Sequence, residues 1–329
     1  MKKLGIIICG LVLMMGCERN AYRFTEGSVY GTVYHVSYQS EVDYAVEIRQ
    51  EMERVNQSLS MFNKESVIAR WNWGESEWVD SLFVTMYEKA REVYEATGGG
   101  FDITVAPLVN AWGFGFKNEK LPSDGKIDSL LQYVGMDKVQ LEGMRLVKLV
   151  EGVQIDASSI AKGLGVDLVA EFFDREGVQN YMIEIGGEIR VKGESNKRRP
   201  WHIGVDKPID DAAAANRELQ LVLALREGAL ATSGNYRRFY VVDGKKYSHT
   251  INPRTGYPVQ QDILGASVYA PTCMEADAYA TAFMVLGTEE AKRIVKNNPH
   301  LEACFIYQNK QGEREVWMSD RLKTLVLEE

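Results

Sequence analysis

Between residues 153 and 191 the chain changes its hydrophobic period repeatedly, and this limits its fold more than any other feature. A short apolar run at 153–155 leads into Ile160, Leu164, Leu168 and Phe172, spaced by four, the stripe of an amphipathic helix over 156–176 that stops before Gly177. Two strand-like runs, 181–185 and 189–191, then flank Gly186-Gly187, the signal of a two-residue hairpin. Strand, helix and hairpin in direct succession point to an α+β unit.

The rest of the chain agrees. Residues 22–38 alternate enough, through Val29, Thr32, Val33 and Val36, for a strand or hairpin around Gly31. Ala45, Ile48, Met52, Val55 and Leu59 predict a helix over about 41–58. A second starts with Asp80 as N-cap, carries Met86, Ala90 and Val93 on one face, and ends at Gly98-Gly99-Gly100. Short strand-like runs, such as 219–225 and 239–242, dominate 201–269, broken by Asn252-Pro253 and a turn cluster at 255–258. Helices near 274–286 and 288–296 and a strand around 303–307 complete the pattern. There is no repeat, low-complexity tract or Pro/Gly/Ser linker, so one large unit is expected.

Met1, Lys2 and Lys3 precede the apolar run 4–15, which is too short to span a bilayer and reads as a secretory signal. It ends in Gly16-Cys17, the pattern of a processed lipoprotein with an acylated cysteine. The expected division is therefore a signal over 1–16 and a globular domain over 17–329, exported and held to a membrane by a lipid on Cys17. With 38 Lys and Arg against 46 Asp and Glu, the net charge is -8 and no basic stripe exists, which argues against a nucleic-acid partner. An acidic chain that handles a phosphorylated ligand needs local help from a metal or a helix N-terminus. Apart from Cys9 and Cys17, only Cys273 and Cys304 remain, without zinc spacing. They read either as two buried thiols or as one disulfide.

Four segments crowd small, polar and turn residues where a plain core would show apolar periodicity. In 98–115, three glycines let backbone N–H groups approach a ligand, although a helix cap and turn explain them equally. In 156–167, a strand enters a helix through Asp156, Ser158, Ser159 and Lys162, which suits a phosphate or simply a well-capped helix; it lacks Walker and dinucleotide spacing. In 231–256, His249 sits beside a turn, where a base near neutral pH can be built, or where a surface histidine stands idle. In 275–281, Asp277 and Thr281 share a helix face, so their oxygens suit magnesium, or merely face solvent.

Taken together, residues 27–32, 60–62, 101–115, 156–167, 186–189, 232–236, 249–256 and 276–281 resemble, in order and spacing, the ApbE family of FAD:protein FMN transferases. The resemblance implies a T-fold-like α+β unit with mixed or antiparallel sheets, flanking helices and FAD, as substrate, in a cleft between lobes. It implies magnesium held by Asp277, Thr281 and the main-chain oxygen of Ser159, and FAD contacts from Tyr30, Phe62, Gly100, Phe101, Asp102, Asp156, Lys162 and Ile251. His249 falls on the family's histidine, the base that would activate a Thr or Ser hydroxyl of an acceptor protein. The family further suggests acceptors among flavinylated subunits of membrane redox complexes. Tyr30 departs from the family's usual Met, Ser158 and Ser159 from its small residues, and Asn252 from its common Asp. Rival expectations keep the fold but use water as acceptor, or store FAD without turnover.

Overall fold

Strands β1 (Tyr22–Val29) and β2 (Thr32–Gln39) pair antiparallel around a Tyr30-Gly31 turn. Both turn residues have positive φ, 51° and 74°, as a tight primed turn requires. Gly31 adopts this freely; Tyr30 is held there by its hydroxyl, which donates to the Met52 carbonyl at 2.6 Å. The computed structural model describes residues 21–116, 121–208, 218–235, 239–242 and 244–327. The predicted signal, Cys9 and the lipidation residue Cys17 lie outside them, as do Tyr236, Arg237 and Arg238.

Helix α1 (Ala45–Leu59) starts at the first residue of its apolar stripe and not at the expected boundary near 41, because Asp43 accepts the Ala45 N–H and Tyr44 donates its own to the Tyr38 hydroxyl. Then follow α2 (Val67–Asn72), α3 (Ser81–Ala96), α4 (Ala106–Ala111), α5 (Asp124–Leu131) and the hairpin of β3 (Val139–Glu142) with β4 (Arg145–Lys148). Asp80 caps α3 as expected, accepting from the Phe83 N–H at 2.8 Å.

The helix expected from 156 begins only at residue 161, as α6 (Ala161–Arg175). Asp156 is the reason: its Oδ1 accepts the Ser158 N–H at 2.8 Å, and this local turn competes with the helix. Lys162 therefore sits in the first turn of α6. Strands β5 (Tyr181–Ile185) and β6 (Glu188–Lys192) flank Gly186-Gly187, whose φ angles of 63° and 107° only glycine adopts without strain.

The second half supplies β7 (Trp201–Asp206), β8 (Leu219–Leu225), β9 (Glu227–Gly234), β10 (Phe239–Val242), β11 (Lys245–Ser248) and β12 (Ile263–Ala270). Helices α7 (Cys273–Leu286) and α8 (Thr288–Asn297), strands β13 (Glu302–Gln308) and β14 (Arg314–Met318) and helix α9 (Asp320–Lys323) follow. The main sheet has eight strands in the order β1-β2-β5-β6-β9-β12-β13-β14, every neighbour antiparallel.

The two faces of this sheet have different fates. Tyr34, Val36, Ile183 and Ile185 point toward α1 and α6, while Ala231, Val268 and Phe305 pack on α7 and α3. On the opposite face, Val191, Leu230 and Tyr269 are covered by β7 and β8, and this cover reaches Tyr22 of β1 and Met182 of β5, whereas Phe24 and Val33 stay exposed among the described residues. Helix α7 is buried on nearly all sides, and burying a side chain such as Phe283 contributes about 1.5–3 kcal/mol. Cys273 and Cys304 are free buried thiols, which closes the disulfide alternative.

Candidate active site

A cleft of about 920 Å³ opens where α7, the start of α6, the β5–β6 hairpin and the loops after α3 and β11 converge. Its deepest charges meet at one point. Lys162 Nζ lies 2.9 Å from Glu188 Oε1 and 3.6 Å from Asp277 Oδ2, and Asp277 Oδ2 also accepts the Gly163 N–H at 3.1 Å. The fold achieves this by bringing α6 and α7 into backbone contact, because a Cβ on Gly163 would stand 2.4 Å from the Cys273 carbonyl oxygen. Asp167, one turn further along α6, accepts the Cys273 and Met274 N–H groups and so caps α7 from outside.

Burial works to lower the Lys162 pKa, but Asp277 and then Glu188 hold it above the ordinary lysine value. Burial pushes the Glu188 carboxyl up; the Lys162 ammonium opposes this and Asp277 reinforces it. Glu188 Oε2 is buried and has no hydrogen-bond partner among the described residues. The cluster holds two carboxyl groups against one ammonium, and burial drives Glu188 toward its neutral form, so a further cation there is favourable.

Asp277 is buried on α7, not on a solvated face, with Thr281 one turn away; the Thr281 hydroxyl is 3.2 Å from that of Ser233. Ser159, half-buried, lines the same cleft. These are hard oxygen donors, and one carboxylate with neutral oxygens suits magnesium, which keeps several positions for water and phosphate. The donor set thus fits the metal. Among the described residues, no group of three or more His, Cys, Asp or Glu stands ready for a metal that prefers them.

At the other wall Gly100, Phe101, Asp102 and Ile251 line the cleft together. Asp102 Oδ1 accepts both the N–H and the hydroxyl of Thr104, at 2.8 and 2.6 Å, yet burial pushes its carboxyl up to about 6. Phe62 lines the mouth, 66% exposed and edge-on to Phe116 at 5.6 Å. His249 follows β11 directly and lines the cleft, its ring edge-on to Phe114 at 6.5 Å. Phe114 stacks on Tyr240, Tyr240 on Tyr247 and Tyr247 on Trp112, a series that ties the His249 loop to residues 112–114.

Tyr30 is placed elsewhere. It does not line the cleft; its ring packs on Gly165 of α6 and its hydroxyl is bound to α1, so here it joins two helices. Glu188, Ser233 and Phe114 received no role from the sequence. For Glu188 the signal was the Gly186-Gly187 hairpin beside it; Phe114 and Ser233 lie inside the motifs 101–115 and 232–236, which gave the segment but not the residue.

Residues 30–305 match the ApbE family. The chain belongs to that family. ApbE relatives include an FAD:protein FMN transferase of Vibrio cholerae, 34% identical over 94% of this chain and 95% of its own length. Another, from Haemophilus influenzae, is 35% identical over 95% of each chain. Among solved structures, the flavin transferase ApbE from Vibrio cholerae superposes with a TM-score of 0.84 at 32% identity, covering 93% of this chain and 99% of that one. The ApbE protein of Thermotoga maritima gives 0.81 at 28% identity, covering 94% and 100%. The ApbE architecture is the α+β unit with antiparallel sheets and flanking helices described above.

Proposed function

We propose that this ApbE chain transfers the FMN half of FAD to a Thr or Ser hydroxyl of an acceptor protein and releases AMP. The observation that carries this reading is one cleft in which the Lys162–Asp277–Glu188 cluster, Thr281 and His249 meet, in a chain of this family. In the reaction the hydroxyl oxygen bonds to the FMN phosphorus, the bond from that phosphorus to the bridging oxygen breaks, and AMP leaves with that oxygen.

Asp277, Thr281 and the main-chain oxygen of Ser159 would hold magnesium, which supplies charge neutralisation on the pyrophosphate. Lys162 adds a second positive group at the same place, and its tie to Glu188 keeps it aimed there. His249 receives the proton of the attacking hydroxyl on a ring nitrogen; its loop is braced by Phe114. Gly100, Phe101, Asp102, Asp156 and Ile251 hold FAD against the wall, and Phe62, flat and exposed at the mouth, offers a stacking face.

The acceptor belongs to a membrane redox complex and the work is done outside the cytoplasm, with the chain anchored through a lipid on Cys17. This rests on the N-terminal sequence pattern and the family. Membrane fractionation of the wild type beside Cys17→Ala tests the anchor: release of only the variant is expected, and equal release refutes it. The activity is tested by mass spectrometry of an acceptor protein incubated with enzyme, FAD and magnesium. A gain of one FMN with matching AMP is expected; free FMN with unmodified acceptor means that water is the acceptor, and intact FAD refutes catalysis.

A further inference from the structure

The face of the main sheet opposite α1 and α6 continues the cleft beyond the charge cluster. Phe24 of β1, Val33 and His35 of β2, and Met182 and Glu184 of β5 all line the same cavity as Lys162 and Asp277. The strand registers explain why: Glu26 pairs with His35, His35 with Glu184, and Glu184 with Ile189, so these side chains form one row across four strands. Their neighbours of opposite parity, Tyr34, Val36 and Ile183, fill the core beneath. Strand β7 forms one bank through His202, leaving a trough open toward the sheet edge at β1.

This floor is built. His35 Nδ1 is 2.5 Å from Glu184 Oε2, and Glu184 Oε1 accepts the Gly187 N–H at 2.6 Å. The row is thereby fixed to the Gly186-Gly187 turn, whose next residue, Glu188, holds Lys162. Phe24 stacks on His35 with ring centroids 6.2 Å apart and remains 60% exposed, and Val33 is 51% exposed. Phe24 and Val33 thus leave apolar surface open on either side of the ordered His35, within the wall of the cleft itself.

We propose that this trough docks the acceptor: an extended segment of the target protein lies over β1, β2 and β5, its apolar side chains on Phe24 and Val33, with His35 hydrogen-bonding to it. The inference rests on the transferase reading. That activity requires a protein segment to bring a hydroxyl into the cleft, and the trough is continuous with the cleft at the hairpin that positions Lys162. An extended segment fits because the floor is a row of strands that presents alternate side chains at strand spacing.

The test uses the full-length chain with Phe24→Glu, Val33→Glu and His35→Gln, separately, with acceptor protein and FAD varied in turn. Each variant should raise the acceptor KM by roughly 10-fold, and for Phe24→Glu and Val33→Glu kcat and FAD affinity should stay as in the wild type. FAD affinity measured by flavin fluorescence also reports folding, and the exposed Phe24 and Val33 can be changed without opening the core. An FAD affinity that falls by the same factor would show that the trough belongs to the cofactor, and an unchanged acceptor KM would show that the acceptor binds elsewhere; either overturns the inference. Failure of the wild type itself to modify any acceptor would instead sink the transferase reading, and this inference with it.

Discussion

Gly163 and Asp277 are in backbone-to-carboxylate contact, the Gly163 N–H donating to Asp277 Oδ2 at 3.1 Å, with no space for a side chain between α6 and α7. Alanine is normally preferred to glycine within a helix, so Gly163→Ala would be favourable were the site open. Here the added Cβ meets backbone, which cannot swing aside. Gly163→Ala should therefore destabilise by about 1–3 kcal/mol and weaken magnesium binding, whereas Gly125→Ala in α5, where a Cβ meets nothing within 4 Å, should be neutral or stabilising. Thermal melts and a magnesium titration of both variants decide this; equal effects would refute the contact as the cause.

Lys162 pairs with two buried carboxyl groups, so its removal leaves Asp277 without its ammonium and drives Glu188 further toward its protonated form. Lys162→Met should cost about 3 kcal/mol in urea unfolding without metal, near the low end for a broken buried pair because the ammonium reaches the cleft. Glu188→Gln, which keeps the Lys162–Asp277 pair, should cost far less. Combining the two should recover part of the Lys162→Met loss. Strict additivity would show that the charges are not coupled.

The proposed ligands act through different atoms, and this separates them experimentally. Chelation of magnesium and Asp277→Asn should each abolish AMP release, and added magnesium should rescue only the wild type. Ser159→Ala should keep activity within a few-fold, because a main-chain oxygen survives the change. Loss of activity in Ser159→Ala equal to that in Asp277→Asn would transfer the ligand role to the Ser159 hydroxyl.

His249→Gln should lower kcat by roughly 100-fold with little change in FAD affinity, since a base contributes to the reaction and not to ground-state binding. Phe114→Ala, which removes the ring against His249, should show a smaller loss of the same kind. Single-turnover transfer measured beside flavin binding separates the two quantities. A parallel fall in FAD affinity for His249→Gln would make it a binding residue.

What was legible in the sequence were features whose cause is local. The stripes of α1, α3 and α6, the Tyr30-Gly31 and Gly186-Gly187 turns and the Asp277–Thr281 spacing depend on residues near one another in the chain. Strand β12 gave no alternation because it is buried on both faces, and α2 and α4, six residues each, are too short to show a period. The start of α6 was misplaced because the Asp156 side chain imitates a helix start. Tyr30 carries a family motif, but its hydroxyl found the Met52 carbonyl of α1. Glu188, Ser233 and Phe114 lie in motifs the sequence did single out, but their partners, Lys162, Thr281 and Tyr240, come from distant segments, which no spacing encodes.

Asp102 ties the site to the pH dependence of folding. Its carboxyl is held at about 6 in the folded protein against an ordinary 3.8, burial outweighing the bonds from Thr104. Below the lower value both states are protonated and the group contributes nothing. Between the two values the unfolded chain ionises while the folded one keeps its proton, so stability falls as pH rises, and above about 6 the loss is complete. Two pKa units correspond to at most about 3 kcal/mol. Other carboxylates titrate in the same window, so the quantity to measure is the stability difference between wild type and Asp102→Asn, without FAD, from pH 4 to 7. Relative to the wild type, the variant should gain stability steadily across that range and then level off. A difference that does not change with pH would mean that Asp102 is ionised in the folded protein throughout, with a positive neighbour or bound cation offsetting its burial.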